Sequence, residues 1–175
     1  DISKCTVGII LDCEGDSSGI LTDGCTHIGG IIYCKYRSTI FNLDTFMCDR
    51  LLLTETMLQV IENVKSQVGL IRAINVITFG SSDKIMFTSE LQNRASKKVY
   101  KQIGSLLRFT DCKSYVKDYI TSANLDLNGK GTSLQNIADV LGVTCLRPLH
   151  NPINDARTLF NILAKILQVT DDFVV

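Results

Sequence analysis

The chain has 175 residues, 18 basic and 18 acidic side chains, 45% hydrophobic content and 21% charged residues. That balance excludes a disordered segment or a polyelectrolyte tail, and the length suits one domain that buries roughly 70% of its unfolded surface without a staple. No apolar run reaches the ~18 residues of a membrane span and no charged segment leads a hydrophobic one, so neither a membrane partner nor a signal peptide is expected.

In chain order, Thr6 to Leu11 (TVGIIL) is a β-branched apolar run that stops at Asp12, Cys13 and Glu14, which predicts a strand and then a loop. Thr26 to Tyr36 and Ser38 to Leu43 carry further strand signals, giving an antiparallel meander of three strands. From Glu55 to Val68, Met57, Ile61, Val64 and Val68 recur at helical spacing, and Thr56 and Gln59 are placed as a capping box. Asn75 to Phe79 (NVITF) reads as a strand, and the GSSD after it opens a helix carrying Ile85, Met86 and Leu91. Leu106 to Thr110 is a further short run ending at Asp111.

Thr132 and Gln135 are placed to cap a helix whose apolar face is Leu134, Ile137, Ala138 and Leu141. GKGTS, Gly129 to Ser133, lacks the first glycine of a phosphate-binding loop and reads as the turn before that helix. The last helix, from about Asn154 to Leu167, buries Ala156, Leu159, Leu163 and Ile166. Three strands followed by alternating helix and strand predict an α/β fold, a mixed five-stranded sheet with helices on its faces, as a single domain over 1–175.

The seven cysteines (Cys5, Cys13, Cys25, Cys34, Cys48, Cys112, Cys145) form no C-x-x-C pair and several alternate with apolar residues, which suits buried reduced thiols in an intracellular compartment. With no net charge, a polyanionic partner must be gripped by local basic clusters. Arg94, Lys97, Lys98 and Lys101, extended by Arg108 and Lys113, form one, whose simplest reading is a solvated helix face. The first residue is Asp1 and not Met, which reads as a domain cut from a longer polypeptide.

Chemistry concentrates in acids at the ends of apolar strands. Asp12 and Glu14 lie two apart, so strand alternation points both to one face. Asp83 follows the NVITF strand, and Asp155 starts the last helix five residues after His150. Four carboxylates drawn together repel one another, and two Mg2+ or Mn2+ ions are the natural compensation for such hard oxygen donors. Two ions about 3.5 to 4 Å apart can activate water and stabilise a leaving oxygen at phosphorus. His150, flanked by Pro148 and Pro152, would take the proton from the water. His27 has a packed or hydrogen-bonded role.

These motifs resemble the DEDDh 3′-to-5′ exonucleases of the ribonuclease H-like fold. Asp12-Cys13-Glu14 is similar to the D-x-E motif, Thr26 to Gly30 (THIGG) to the second strand, and His150 with Asp155 to H-x4-D. The ARTLFNIL that follows is similar to the family's D-A-R helix start, and TSLQNIADVLGV to the preceding helix. The middle motif, ITFGSSDKIMF, departs from H-N-x-x-F-D and is closer to RNA-trimming members and the exonuclease domain of arenavirus nucleoproteins.

The resemblance implies a 3′-to-5′ exonuclease that releases nucleoside 5′-monophosphates, with RNA favoured over DNA as partner. Asp12, Glu14, Asp83 and Asp155 would hold two metal ions and His150 would be the base, with Asp111 the fallback for Asp83. Ile20, Leu21 or Phe79 would pack on base or sugar. The location implied is cytoplasmic, the host's if the chain is viral. The alternative is an inactive module of the same fold that binds nucleic-acid ends or a protein partner.

Overall fold

The computed structural model describes residues 6–15 and 25–171. Ile20, Leu21 and Cys5 lie outside them. Strand β1 (Thr6–Gly15) is apolar on both faces because it is central, with β2 (Cys25–Tyr36) antiparallel on one side and β4 (Ile74–Thr78) parallel on the other. β3 (Thr39–Asp49) pairs antiparallel with β2, and β5 (Leu107–Asp111) pairs parallel with β4. These five strands are the mixed sheet expected from the sequence. A two-residue strand, β6 (Thr170–Asp171), adds to the β3 edge, so the order among the described residues is β5-β4-β1-β2-β3-β6.

β1 does not stop at Leu11. Asp12, Cys13 and Glu14 stay in the ladder opposite Gly29, Ile28 and His27, because β2 continues alongside and supplies their hydrogen bonds. The polar residues therefore mark a change of surroundings and not the strand's end. β3 likewise runs on to Asp49, which pairs with His27.

Helix α1 (Leu53–Val68) begins before Glu55, entered through a tight turn, Arg50–Leu52, whose Leu51 N–H donates to Asp49. Thr56 and Gln59 lie inside the helix, so their capping box does not form; burial of Leu53 draws the start forward. α2 (Ser82–Arg94) begins within GSSD, with Asp83 in its first turn. α3 (Lys97–Leu106) and α4 (Lys113–Ser122) were not legible as helices, since they bury only Ile103, and Val116 with Ile120, too few to set a period. α5 (Leu134–Leu141) is capped by Ser133, whose Oγ accepts from the Asn136 N–H, and not by Thr132. α6 (Pro152–Leu167) is capped by Asn151, and Pro152 sits at its first turn and not in the loop.

Alternation along β1 divides the core. Val7, Ile9, Leu11 and Cys13 pack with Met57, Val60, Ile61 and Val64 of α1, Met86 and Phe87 of α2, and Ile103 of α3. Ile10 faces the other way and joins Ile31 and Tyr33 against α4, α5 and α6. The helices thus cover both faces, as expected. Among the described residues Cys13, Cys34, Cys48 and Cys112 are buried thiols, and no helix is long and apolar enough to cross a membrane. Lys97, Lys98 and Lys101 are exposed on α3, as the solvated-face reading expects, while Arg94 is engaged by Glu90 at 2.8 Å.

Candidate active site

Asp12 and Glu14 continue the even-numbered series of β1, so they face α6. The first turn of α6 reaches them because its partner in the ladder is a glycine. Gly29 lies opposite Asp12, and a Cβ there would come 2.7 Å from Pro152 Cβ and 2.9 Å from the Phe46 carbonyl oxygen. Pro152 rests directly on the β2 backbone, and that contact sets Asp155, three residues on, beside β1. The positive end of the α6 dipole also favours the carboxylates gathered there.

The loop before α6 is pinned to the helix it precedes. The Asn151 side chain accepts from the Ile153 and Asn154 N–H groups at 3.0 and 3.2 Å, and Asn154 Nδ2 donates to the Pro148 carbonyl at 3.1 Å. Buried Thr158 accepts from the Leu146 N–H at 3.0 Å. His150, with a left-handed φ of 62°, stands on this loop with its side chain 86% exposed. Its Nδ1 lies 3.5 Å from Glu14 Oε2.

Glu14 occupies the middle of a chain of carboxyl groups. It stands close enough to Asp12 on one side and to Asp155 on the other for each pair to share a proton as a hydrogen bond. Burial, that bond to Glu14, and the charges of Asp83, Glu14 and Asp155 push the Asp12 carboxyl far above the usual range. Asp155 is pushed up by burial and by Glu14, against a lowering bond from the His150 backbone N–H. Carboxyl groups that touch one another can do so only by sharing protons or by sharing a cation. Asp12 Oδ2 is buried with no hydrogen-bond partner, an unmet acceptor of the kind a cation would satisfy. Ligand atoms of Glu14, His150 and Asp155 lie within 4.8 Å of one another. This donor set fits a divalent cation of the hard, oxygen-preferring kind.

Asp83 is 6% exposed on the first turn of α2, and its Oδ1 accepts from the Cys13 N–H at 3.1 Å. Burial pushes it up to about 7, with the Cys13 bond lowering it and Glu14 and Asp111 raising it. Its charge is felt by both Asp12 and Asp155. Asp111 is engaged elsewhere, accepting from the Gly80 N–H at 2.8 Å and the Lys113 N–H at 3.0 Å. Among the two candidates for the third acid, Asp83 is the one that shares the field of Asp12. His27 is exposed and stands across the ladder from Glu14, so it is not packed in the core.

Asp12, Glu14, His150 and Asp155 form one wall of a cavity of about 510 Å³. The other residues that line it are Phe79, Lys113, Thr132, Ser133, Gln135 and two leucines, Leu134 and Leu149. In the sequence Lys113 stands only as an extension of the basic cluster, and the GKGTS threonine and serine only as the turn before a helix. Neither signal separates a site residue from a solvated face or an ordinary turn.

No family model matches this chain, and no curated protein is similar to it in sequence. Solved structures do match. One, described as 3′-end-specific recognition of histone mRNA stem-loop by a 3′-exonuclease, has a TM-score of 0.58 at 13% identity over 95% of this chain; this chain spans 64% of that one, less than two thirds of its length. Another, the nuclease domain of 3′hExo, a DEDDh family member, bound to rAMP, has a TM-score of 0.53 at 14% identity over 95% of this chain and 92% of that one. The fold of this chain is therefore the ribonuclease H-like fold of the DEDDh exonucleases.

Proposed function

We propose that this chain is a metal-dependent nuclease that removes nucleoside 5′-monophosphates from the 3′ end of a nucleic acid, RNA in preference to DNA. The observation that carries this reading is the contact chain Asp12–Glu14–Asp155 with the unpartnered, buried Asp12 Oδ2 at its inner end. The two structural neighbours are described as exonucleases, and one of them holds rAMP, a nucleoside monophosphate of the product class proposed here.

Asp12, Glu14, Asp83 and Asp155 would hold two Mg2+ or Mn2+ ions, which supply Lewis acidity and charge neutralisation at a phosphodiester. The chain's own residues do the rest. His150 Nδ1 is turned to Glu14, and a proton held on that nitrogen leaves Nε2 as the acceptor for the proton of the attacking water. The water oxygen bonds to phosphorus, the bond from phosphorus to the 3′ oxygen breaks, that oxygen takes a proton from solvent so that the shortened strand keeps a 3′-hydroxyl, and the released nucleotide carries the phosphate at its 5′ oxygen. Thr132, Ser133 and Gln135 in the cavity lining bear groups able to hydrogen-bond a ribose 2′-hydroxyl, which supports RNA over DNA. The polar and the acidic lining residues together frame a strand end.

The test is a 5′-labelled RNA incubated with the protein and Mg2+ or Mn2+ and resolved as a ladder. Stepwise shortening that chelator stops and Asp12→Ala abolishes is the expected result. An RNA that stays intact under all conditions overturns the nuclease reading, and measurable binding of that intact RNA identifies an end-binding module instead.

A further inference from the structure

An acidic cavity repels the polyanion it is to cut, and ions at the acid wall act only on the phosphate they touch. The substrate therefore needs a cation elsewhere in the cavity. Lys113 is the lysine among the residues that line it, and no arginine is among them. Its place is built. Asp111 Oδ1 accepts from both the Gly80 and Lys113 N–H groups, tying the turn after β4 to the start of α4. Phe79, beside that turn, lies under the ammonium, with Nζ 5.4 Å from the ring centroid. The aromatic face holds the charge at the cavity's rim without neutralising it as a carboxylate would.

We propose that Lys113 is a substrate-binding residue that contacts a phosphodiester oxygen of the strand entering the cavity, with Phe79 holding its ammonium in place. This deepens the nuclease reading and rests on it for the identity of the ligand. A lysine binds phosphate as a point charge, so arginine should serve in its place and a neutral residue should not.

The test measures binding, not cleavage: fluorescence anisotropy of a labelled single-stranded RNA with the full chain in Ca2+. Lys113→Ala should weaken binding about tenfold, as expected for one hydrogen bond to a charged group. It should also flatten the slope of log affinity against log salt by about 0.7, the contribution of one phosphate contact on a single strand. Lys113→Arg should restore both, and Lys117→Ala, one turn on and exposed, should change neither. A wild-type salt slope in Lys113→Ala overturns the proposal even if affinity falls, because a merely structural loss leaves the ion count unchanged. Absence of RNA binding by the wild-type chain overturns this proposal and the nuclease reading together. Wild-type binding with an unaltered slope in the variant overturns this proposal alone.

Discussion

Among the described residues Asp12 bears the sharpest conflict. Its carboxyl is buried, bonded to Glu14 and left with one unpartnered oxygen. Ionisation there costs the fold free energy unless a cation answers it. Asn has nearly the same shape and no charge, so Asp12→Asn should end RNA shortening yet raise the melting temperature in chelator. At about 2–4 °C per kcal/mol for a chain of this size, calorimetry resolves the gain; a lower melting temperature would show that the carboxylate is satisfied by contacts within the fold. His150 has a different part. Its exposed ring is held by Glu14 and by the pinned loop, and no core packing depends on it. His150→Ala should lower the turnover rate by about two to four orders of magnitude, the ordinary contribution of a general base, with Mn2+ affinity by calorimetry nearly unchanged. Loss of one bound ion in that variant would make the imidazole a ligand in place of a base.

At the scale of elements, the site depends on how closely α6 sits on β2. Gly29→Ala puts a methyl carbon within 2.7 Å of Pro152 and 2.9 Å of the Phe46 carbonyl, so either the helix start or β3 must give way. A displacement of about 1 Å at Asp155 and His150 is enough to cost on the order of 100-fold in rate. Gly29→Ala should therefore lose both melting temperature and turnover. Gly104→Ala, with open space around its Cβ on α3, should gain about 0.5–1 kcal/mol of stability at unchanged turnover. Equal effects of the two substitutions would remove the special role of Gly29. The strand meander and the helices α1, α2, α5 and α6 were legible because each buries a periodic set of apolar residues. α3 and α4 were not, because one or two buried residues give no period. The cap of α1 was misplaced because burial of Leu53 starts the helix behind an apolar residue, Leu52, with no side-chain cap, and that of α5 by one position because Thr132 and Ser133 stand side by side at its start.

For the whole molecule, the acid wall was legible because D-x-E on a strand and H-x4-D before a helix, in that order along the chain, resemble the motifs of a family that gathers them at one site; either spacing alone is local and implies no convergence. The rest of the lining was not, since Lys113, Thr132 and Gln135 acquire their meaning only once α4 and α5 are docked at the cavity. This convergence also makes stability depend on pH. Asp12, Asp83 and Asp155 are all raised in the folded chain, Asp83 to about 7, mainly by burial. In the unfolded chain these acids titrate near 4, so between about pH 4 and 7 the folded state binds more protons and its stability falls as pH rises. Below the unfolded values both states are protonated and the penalty vanishes; above about pH 7 the share of Asp83 and Asp155 is fully present, while that of Asp12, raised to about 10, keeps growing up to that pH. The expected outcome is a metal-free protein that melts at a higher temperature at about pH 5 than at about pH 8. Mn2+ or Mg2+ should close that gap by raising the melting temperature at the higher pH and doing little at the lower, where protons hold the same oxygens. Asp12→Asn should flatten the metal-free profile. A melting temperature that is constant or rises with pH in chelator would mean that the acids are not compressed together as the fold places them, and the cation would then have no vacancy of charge to fill.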